Sequence, residues 1–538
     1  MIRPRVLLST LLLSTALAGG CAPALAPPAP KAFDLEEATV ADLQKRMETG
    51  QDTSRSLVDK YLARIAAIDS AGPSLHSVIE INPDAGSIAD ALDAERKSRG
   101  PRGPLHGIPV LIKDNIATAD RMATTAGSLA LEGATPPADA FIVTQLRDAG
   151  AVILGKTNLS EWANFRSTHS VSGWSGRGGQ TRNPYALDRN TSGSSSGSGA
   201  AAAANLCAIA VGTETDGSIT SPANNNMLVG IKPTLGLVSR FGIVPIAHSQ
   251  DTAGPMARTV TDAAILLGAM AGADAQDAAT ADAATKGLRD YTKSLASNGL
   301  AGARLGVVRT KLMGYHPATD ALMEAAIADL KKAGAVIVDP ADIPHVGEYD
   351  YTELDVLLYE FKADLNAYLN WIGPKSPVHS LKEIIAFNDA HKDREMPFFA
   401  QELMLKAEAE GPLTDAKYLA ALARNHRLSR EQGIDAVMAA HTLDALIAPT
   451  GGPAWLIDPV NGDYAQNGAT TAPAVAGYPH VTVPAGQVMG LPVGLSFIGR
   501  AWSEPVLIRL AYAYEQATKH RVAPQLKATI DLEKRLRE

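Results

Sequence analysis

Apolar positions change their period along this chain, and the changes mark its elements. Leu57, Val58, Tyr61, Leu62, Ile65 and Ile68 recur at helical spacing behind Thr53 and Ser54, and Thr39 caps a shorter expected helix to about Met47, ended by Gly50. Val78 to Ile81 reads as a short strand and Ile88 to Arg96 as a helix. The run Ile108 to Ile112 reads as a buried strand with Lys113 at its carboxyl end, and helical signals from Asp139 to Asp148 lead into a strand at Val152 to Leu154. A helix is expected from Asp262 to Met270, and a strand restarts at Arg304 to Val308. Helices then dominate from Pro317 to Leu443, with Leu357 to Trp371 carrying the aromatic residues. Ala445 to Pro449, Val481 to Val483 and Val493 to Ile498 return as strands, and Pro505 to Thr518 closes as a helix. Strands at both ends with helices between predict an α/β fold with a single large mixed β-sheet covered on both faces by α-helices, not separate domains.

One stretch departs from this pattern. From Thr191 to Gly199 nearly every residue is Ser or Gly; five alanines follow, then Leu206, Cys207, the apolar run Ile209 to Val211, and Gly212-Thr213-Glu214-Thr215-Asp216-Gly217-Ser218. Small residues let backbone approach backbone, and alanine favours a helix packed tightly on a sheet. The segment therefore reads as loop, buried helix, strand and serine-bearing turn. A flexible Gly/Ser linker would not continue into helix-forming alanine and an apolar strand.

The 538 residues are 46% hydrophobic and carry a net charge of −8, with basic residues scattered. No nucleic-acid footprint exists in that pattern. Arg3 and Arg5 precede an apolar run from Val6 to Ala18, too short to span a bilayer, and Ala18-Gly19-Gly20-Cys21 is similar to a bacterial lipobox. Residues 1–21 are thus expected to be an export signal with Cys21 as the acylated residue, and 22–33 a Pro/Ala tether before a fold occupying 34–538. Ala24-Leu25-Ala26 is a rival cleavage site. The protein is expected in the periplasm or anchored to a bacterial membrane by lipid. Cys207, expected inside the apolar helix, is the one remaining cysteine, so no internal disulfide is expected, and it reads as a small buried hydrophobe.

Two nucleotide motifs are coincidences. Gly150 to Thr157 spells G-x-x-x-x-G-K-T, but its four middle residues are Ala-Val-Ile-Leu, a strand where a phosphate loop needs a bend. Gly197-x-Gly199-x-x-Ala202 has no apolar strand before it. The twelve histidines show no paired ligand spacing, so neither metal nor cofactor is expected.

A lysine at a strand end beside two serine clusters suggests a hydrolase with lysine as base, since a buried neutral amine can take a hydroxyl proton. Ser218 is the first candidate nucleophile, because the turn before it offers backbone N–H groups for an oxyanion. A competing pattern is Gly193-Ser194-Ser195-Ser196-Gly197, a G-x-S-x-G elbow with Ser195 as nucleophile and His480 as base, but turn-like residues precede it where a buried strand is needed.

These residues resemble the amidase signature enzymes, and within them the bacterial peptide amidases, over nearly all of the chain after the export segment. The resemblance rests on Ile108-Pro109-Val110-Leu111-Ile112-Lys113-Asp114-Asn115, Gly193 to Gly199 and Gly212 to Ile219. It implies a Ser-Ser-Lys triad: Ser218 acylated, Ser194 at a cis peptide bridging to Lys113, and the backbone of Thr215, Asp216 and Gly217 as oxyanion hole. It implies no metal, no cofactor and no obligate protein partner. Asp216 stands where many members have glycine and Thr220 where arginine is frequent. Both variants resemble the peptide amidase branch, as do Ser249-Gln250-Asp251-Thr252, Leu358-Tyr359-Glu360-Phe361 and Ala501-Trp502-Ser503-Glu504-Pro505. Removal of the amide from C-terminally amidated peptides is therefore expected. A broad small-molecule amidase or esterase and an inactive exported binding lipoprotein are the alternatives, while export argues against a role in a cytoplasmic tRNA amidotransferase.

Overall fold

A computed structural model describes residues 33–466 and 468–531. The expected export signal with Cys21, and the tether as far as residue 32, lie outside the described residues. Residues 33–36 form a turn of their own, closed by the Glu36 N–H on the Phe33 carbonyl (3.0 Å). The fold is carried from Glu37 onward.

Two capped helices open it. α1 (Val40–Glu48) and α2 (Ser54–Arg64) start at Thr39 and Thr53, each closing a capping box with the residue three positions on. Eleven strands then build one mixed sheet: β1 (Val78–Ile81), β2 (Pro109–Lys113), β3 (Val152–Thr157), β4 (Ile209–Glu214), β5 (Val229–Lys232), β6 (Thr252–Ala257), β7 (Arg304–Val307), β8 (Val336–Val338), β9 (Ala445–Pro449), β10 (His480–Val488) and β11 (Leu491–Ile498). Their order is β1-β3-β2-β4-β6-β5-β10-β11-β9-β7-β8. The trio β3-β2-β4 is parallel, as is β9-β7-β8, and the other neighbours are antiparallel. Every residue of β2, β3 and β4 is buried. Successive side chains point to opposite faces, so both faces of the sheet centre are covered.

The Gly150 to Thr157 motif is strand, as expected: Gly155, Lys156 and Thr157 end β3. The Gly/Ser stretch differs from expectation in one respect. Helix α3 (Ser196–Ala203) begins inside the serine cluster, and all eight of its residues are buried. Serine is tolerated there because its hydroxyls are paired: Ser198 Oγ donates to the Val211 carbonyl (2.9 Å) and lies 2.7 Å from Thr157 Oγ1. Gly197 has no substitute, since a Cβ would stand 2.3 Å from the Ser77 carbonyl oxygen and 2.4 Å from that of Asn158. Cys207 lies not in the helix but in the buried turn between α3 and β4.

Strands β5, β6 and β8 have no counterpart among the expected elements. β6 carries Gly254 and Pro255 inside the sheet. Pro255 stands opposite Val211 of β4, while β5 pairs only with Met256 and Ala257.

The long helix α4 (Asp350–Ile372) covers the loops at the carboxyl ends of β2 and β4. Its Leu358, Phe361, Leu365, Tyr368, Leu369 and Ile372 recur at helical spacing and pack with Trp162, Phe165, Leu131 and Ile246. Phe361 is fully buried and meets Phe165 edge-on at 5.0 Å. Phe361→Ala is expected to lower stability by about 3–5 kcal/mol through lost transfer and an unfilled cavity, read as an earlier denaturant midpoint at unchanged slope. The final helix α5 (Glu504–Thr518) begins with its proline in the first turn, where the missing N–H is not needed.

Candidate active site

Parallel neighbours β2 and β4 end side by side, which brings Lys113 to the loops that follow β4 and precede α3. Lys113 is fully buried. Its Nζ donates to Ser194 Oγ (2.7 Å), Thr213 Oγ1 (2.8 Å) and the Thr213 carbonyl (3.3 Å). Burial lowers the amine to about 7, with the carboxylates of Asp251 and Glu214 opposing the shift. A large part of its population is therefore neutral near pH 7. Ser194 follows a cis peptide bond from Gly193.

The serine loop and the turn after β4 are stitched together by backbone. Ser195 N–H donates to the Ser218 carbonyl (3.2 Å), while Ser195 Oγ donates to the Thr213 carbonyl (3.0 Å) and accepts from the Thr213 N–H (3.1 Å). Ser195 thus serves the backbone. His480 is buried in β10, bonded to Ser496 Oγ (2.6 Å) and pushed down to about 3 by burial. The elbow reading with Ser195 and His480 has no support in this geometry.

Glu214 shapes the turn. Its carboxylate accepts the N–H groups of Ile219 (2.8 Å) and Thr220 (2.9 Å), closing a loop around Thr215, Asp216, Gly217 and Ser218. Gly217 takes φ +77°, and a Cβ there would stand 2.9 Å from Ser221 Oγ. The N–H groups of Asp216, Gly217 and Ser218 have no acceptor among the described residues. Free N–H groups in succession form a concavity suited to an anionic oxygen.

A second layer holds Thr215, and sequence reasoning named several of its residues without their role. Thr215 Oγ1 donates to Asp251 Oδ1 (2.6 Å), whose other oxygen accepts from Ile246 and Ala247 N–H. Gln250 Nε2 bridges the Thr215 carbonyl (3.3 Å) and Glu353 Oε1 (2.9 Å). Ser249 N–H donates to Glu360 Oε2 (2.9 Å), and His248 donates through N–H (2.9 Å) and Nδ1 (2.8 Å) to Asp364 Oδ2. Consecutive residues 248–250 are thus clamped by three acids of α4. Only the acids' spacing of seven and four residues along a helix face could have signalled this. Burial is the chief cause that pushes Asp216 and Glu353 above the usual carboxylate range. Gln250→Ala is expected to lower kcat about tenfold with KM little changed, because a loosened Thr215 blurs a turn needed in the transition state; steady-state kinetics with an intact far-ultraviolet spectrum checks it.

Among the described residues one group could hold a metal ion, His248, Glu360 and Asp364, whose ligand atoms lie within 4.8 Å of one another. All three already serve the clamp.

Residues 56–508 match the amidase family. The chain belongs to that family. It is an amide hydrolase of the amidase signature type, structurally close to peptide amidase. The peptide amidase of Stenotrophomonas maltophilia is 54% identical, with a TM-score of 0.88 over 92% of this chain and 100% of that one. The peptide amidase PAM bound to the competitive inhibitor chymostatin superposes with a TM-score of 0.89 at the same identity, over 92% of this chain and 100% of that one. A probable amidase of Arabidopsis thaliana is 43% identical over 92% of both chains. In this fold the buried amine of Lys113 is bonded to Ser194 beside the turn of Asp216, Gly217 and Ser218.

Proposed function

We propose that the protein hydrolyses the C-terminal carboxamide of peptides, releasing ammonia through an acyl-enzyme on Ser218. Neutral Lys113 takes the proton of Ser194, and Ser194 takes that of Ser218 as its oxygen attacks the carboxamide carbon. The oxyanion lies against the backbone N–H groups of Asp216, Gly217 and Ser218, which have no acceptor among the described residues. Collapse breaks the C–N bond, Ser194 hands its proton to the departing nitrogen and recovers one from Lys113, and ammonia leaves. Water then attacks the acyl ester, losing its proton through Ser194 to Lys113, and that proton returns through Ser194 to Ser218 Oγ as the ester C–O bond breaks, giving the peptide acid and restoring Ser218. The observation that carries this reading is the 2.7 Å bond from a buried Lys113 to Ser194, with the amine poised near neutrality. The substrate class draws on the peptide amidase neighbours at 54% identity.

The test is ammonia release from a C-terminally amidated dipeptide, a fatty amide and a small aryl amide, with a nitrophenyl ester followed by colour. Selective turnover of the peptide amide is expected. Equal turnover across the set would replace it with the broad amidase reading, and the export segment proposed for residues 1–21 would in either case carry the activity out of the cytoplasm.

A further inference from the structure

Beside the turn, at the carboxyl ends of β2 and β4, lies a cavity of about 330 Å³. Its walls are aromatic. Phe241, Tyr368 and Trp371 line it, with Trp371 edge-on to Phe241 at 5.2 Å and tilted against Tyr368 at 5.6 Å. Its floor includes Asn115, Thr213 and Thr215, and Asn115 donates to the same Thr213 hydroxyl (3.0 Å) that Lys113 holds. The cavity therefore lies one hydrogen bond from the amine and one residue from the turn.

Of its charged residues, Arg240 Nε pairs with Asp277 (2.8 Å) and His248 with Asp364, while Asp251 and Glu214 are held by neutral donors, Thr215 Oγ1 and the Ile246 and Ala247 N–H groups on the one and the Ile219 and Thr220 N–H groups on the other. An acidic side chain would find no free cation there. Cavities of this size, apolar with a few convergent polar atoms, are the ordinary form of small-molecule sites.

We infer that this cavity is the subsite for a large side chain of the substrate, aromatic by preference, on one of the last two residues of the peptide amide. The inference rests on the peptide amide reading above.

Ala367 lines the mouth of the cavity from an exposed position of α4, so Ala367→Phe narrows it without disturbing the core. The experiment compares kcat/KM of the wild type and Ala367→Phe on acetylated dipeptide amides with Phe, Gly, Lys or Asp at the last or the penultimate residue. The wild type is expected to prefer Phe over Gly, Lys and Asp by at least about tenfold at one of the two positions, and Ala367→Phe to erase most of that preference. No preference in the wild type, or a variant that slows every substrate equally, overturns the subsite while leaving the amidase reading intact. If the wild type cleaves no peptide amide, that reading falls on its own, and calorimetry with N-acetylphenylalaninamide decides the subsite. Binding weakened about tenfold in Ala367→Phe supports it, and equal or absent binding overturns it.

Discussion

Ser218→Ala is expected to reduce amide hydrolysis by roughly 10⁴-fold or more, because members of a nucleophilic triad act as a unit and losing the attacking oxygen removes the acyl-enzyme route. The fold should tolerate the change. Ser218 Oγ makes no hydrogen bond among the described residues, and its backbone tie, the carbonyl accepting from Ser195 N–H, survives in alanine. Substrate binding should persist within a few-fold, since the turn's N–H groups come from the main chain. Ser194→Ala is the informative companion. It removes the only hydroxyl besides that of Thr213 that Lys113 touches among the described residues, so it should lower kcat nearly as far while leaving Ser218 open to slow acylation by a reactive nitrophenyl ester. Ammonia release at wild-type rate from Ser218→Ala would show that the nucleophile is another residue.

How far the site was legible in the sequence follows from where each residue sits. Lys113 could be read because an apolar strand ending in lysine is anomalous, and Ser218 because Gly-rich turns after apolar strands rarely carry chemistry by accident. Ser194 and Ser195 are told apart in the sequence only by the family resemblance. Geometry separates them on its own terms, with Ser194 bonded to the lysine and Ser195 to both backbone groups of Thr213. The sheet was legible where strands are apolar and long. β5 was hidden by its four-residue length and its Gly230, β6 by Gly254 and Pro255, and β8 by its three-residue length inside a helical region. Least legible was the clamp. Nothing local says that Gln250 spans Thr215 and Glu353, because the partners lie 35 and 103 residues away.

Lys113→Met is expected to separate activity from stability. Loss of the base should cost about 10³-fold in kcat/KM, within the range for general base catalysis. The wild type should show a rising limb in kcat/KM near pH 7, because the amine is active when neutral and its pKa is lowered to about 7; that limb should vanish from the residual activity of the variant. Stability should move the other way. A lysine that ionises near 7 when folded and near 10.5 when unfolded binds fewer protons in the native state between those values, so its penalty is full below pH 7 and is relieved as pH rises toward 10.5. That penalty is on the order of 4 kcal/mol at pH 7 and about half as much at pH 9. Methionine has similar length and no charge to desolvate. The partners it abandons are mostly covered, since Asn115 still donates to Thr213 Oγ1 and Ser195 to the Thr213 carbonyl, leaving Ser194 Oγ alone without its donor. Lys113→Met should therefore be more stable than wild type by about 1–3 kcal/mol at pH 7, with the gain shrinking toward pH 10. Denaturant unfolding of both proteins at pH 6, 8 and 10 checks the sign. A variant that is dead but less stable at every pH would mean that Lys113 is held charged by its neighbours, and the proton relay through Ser194 would then need another base.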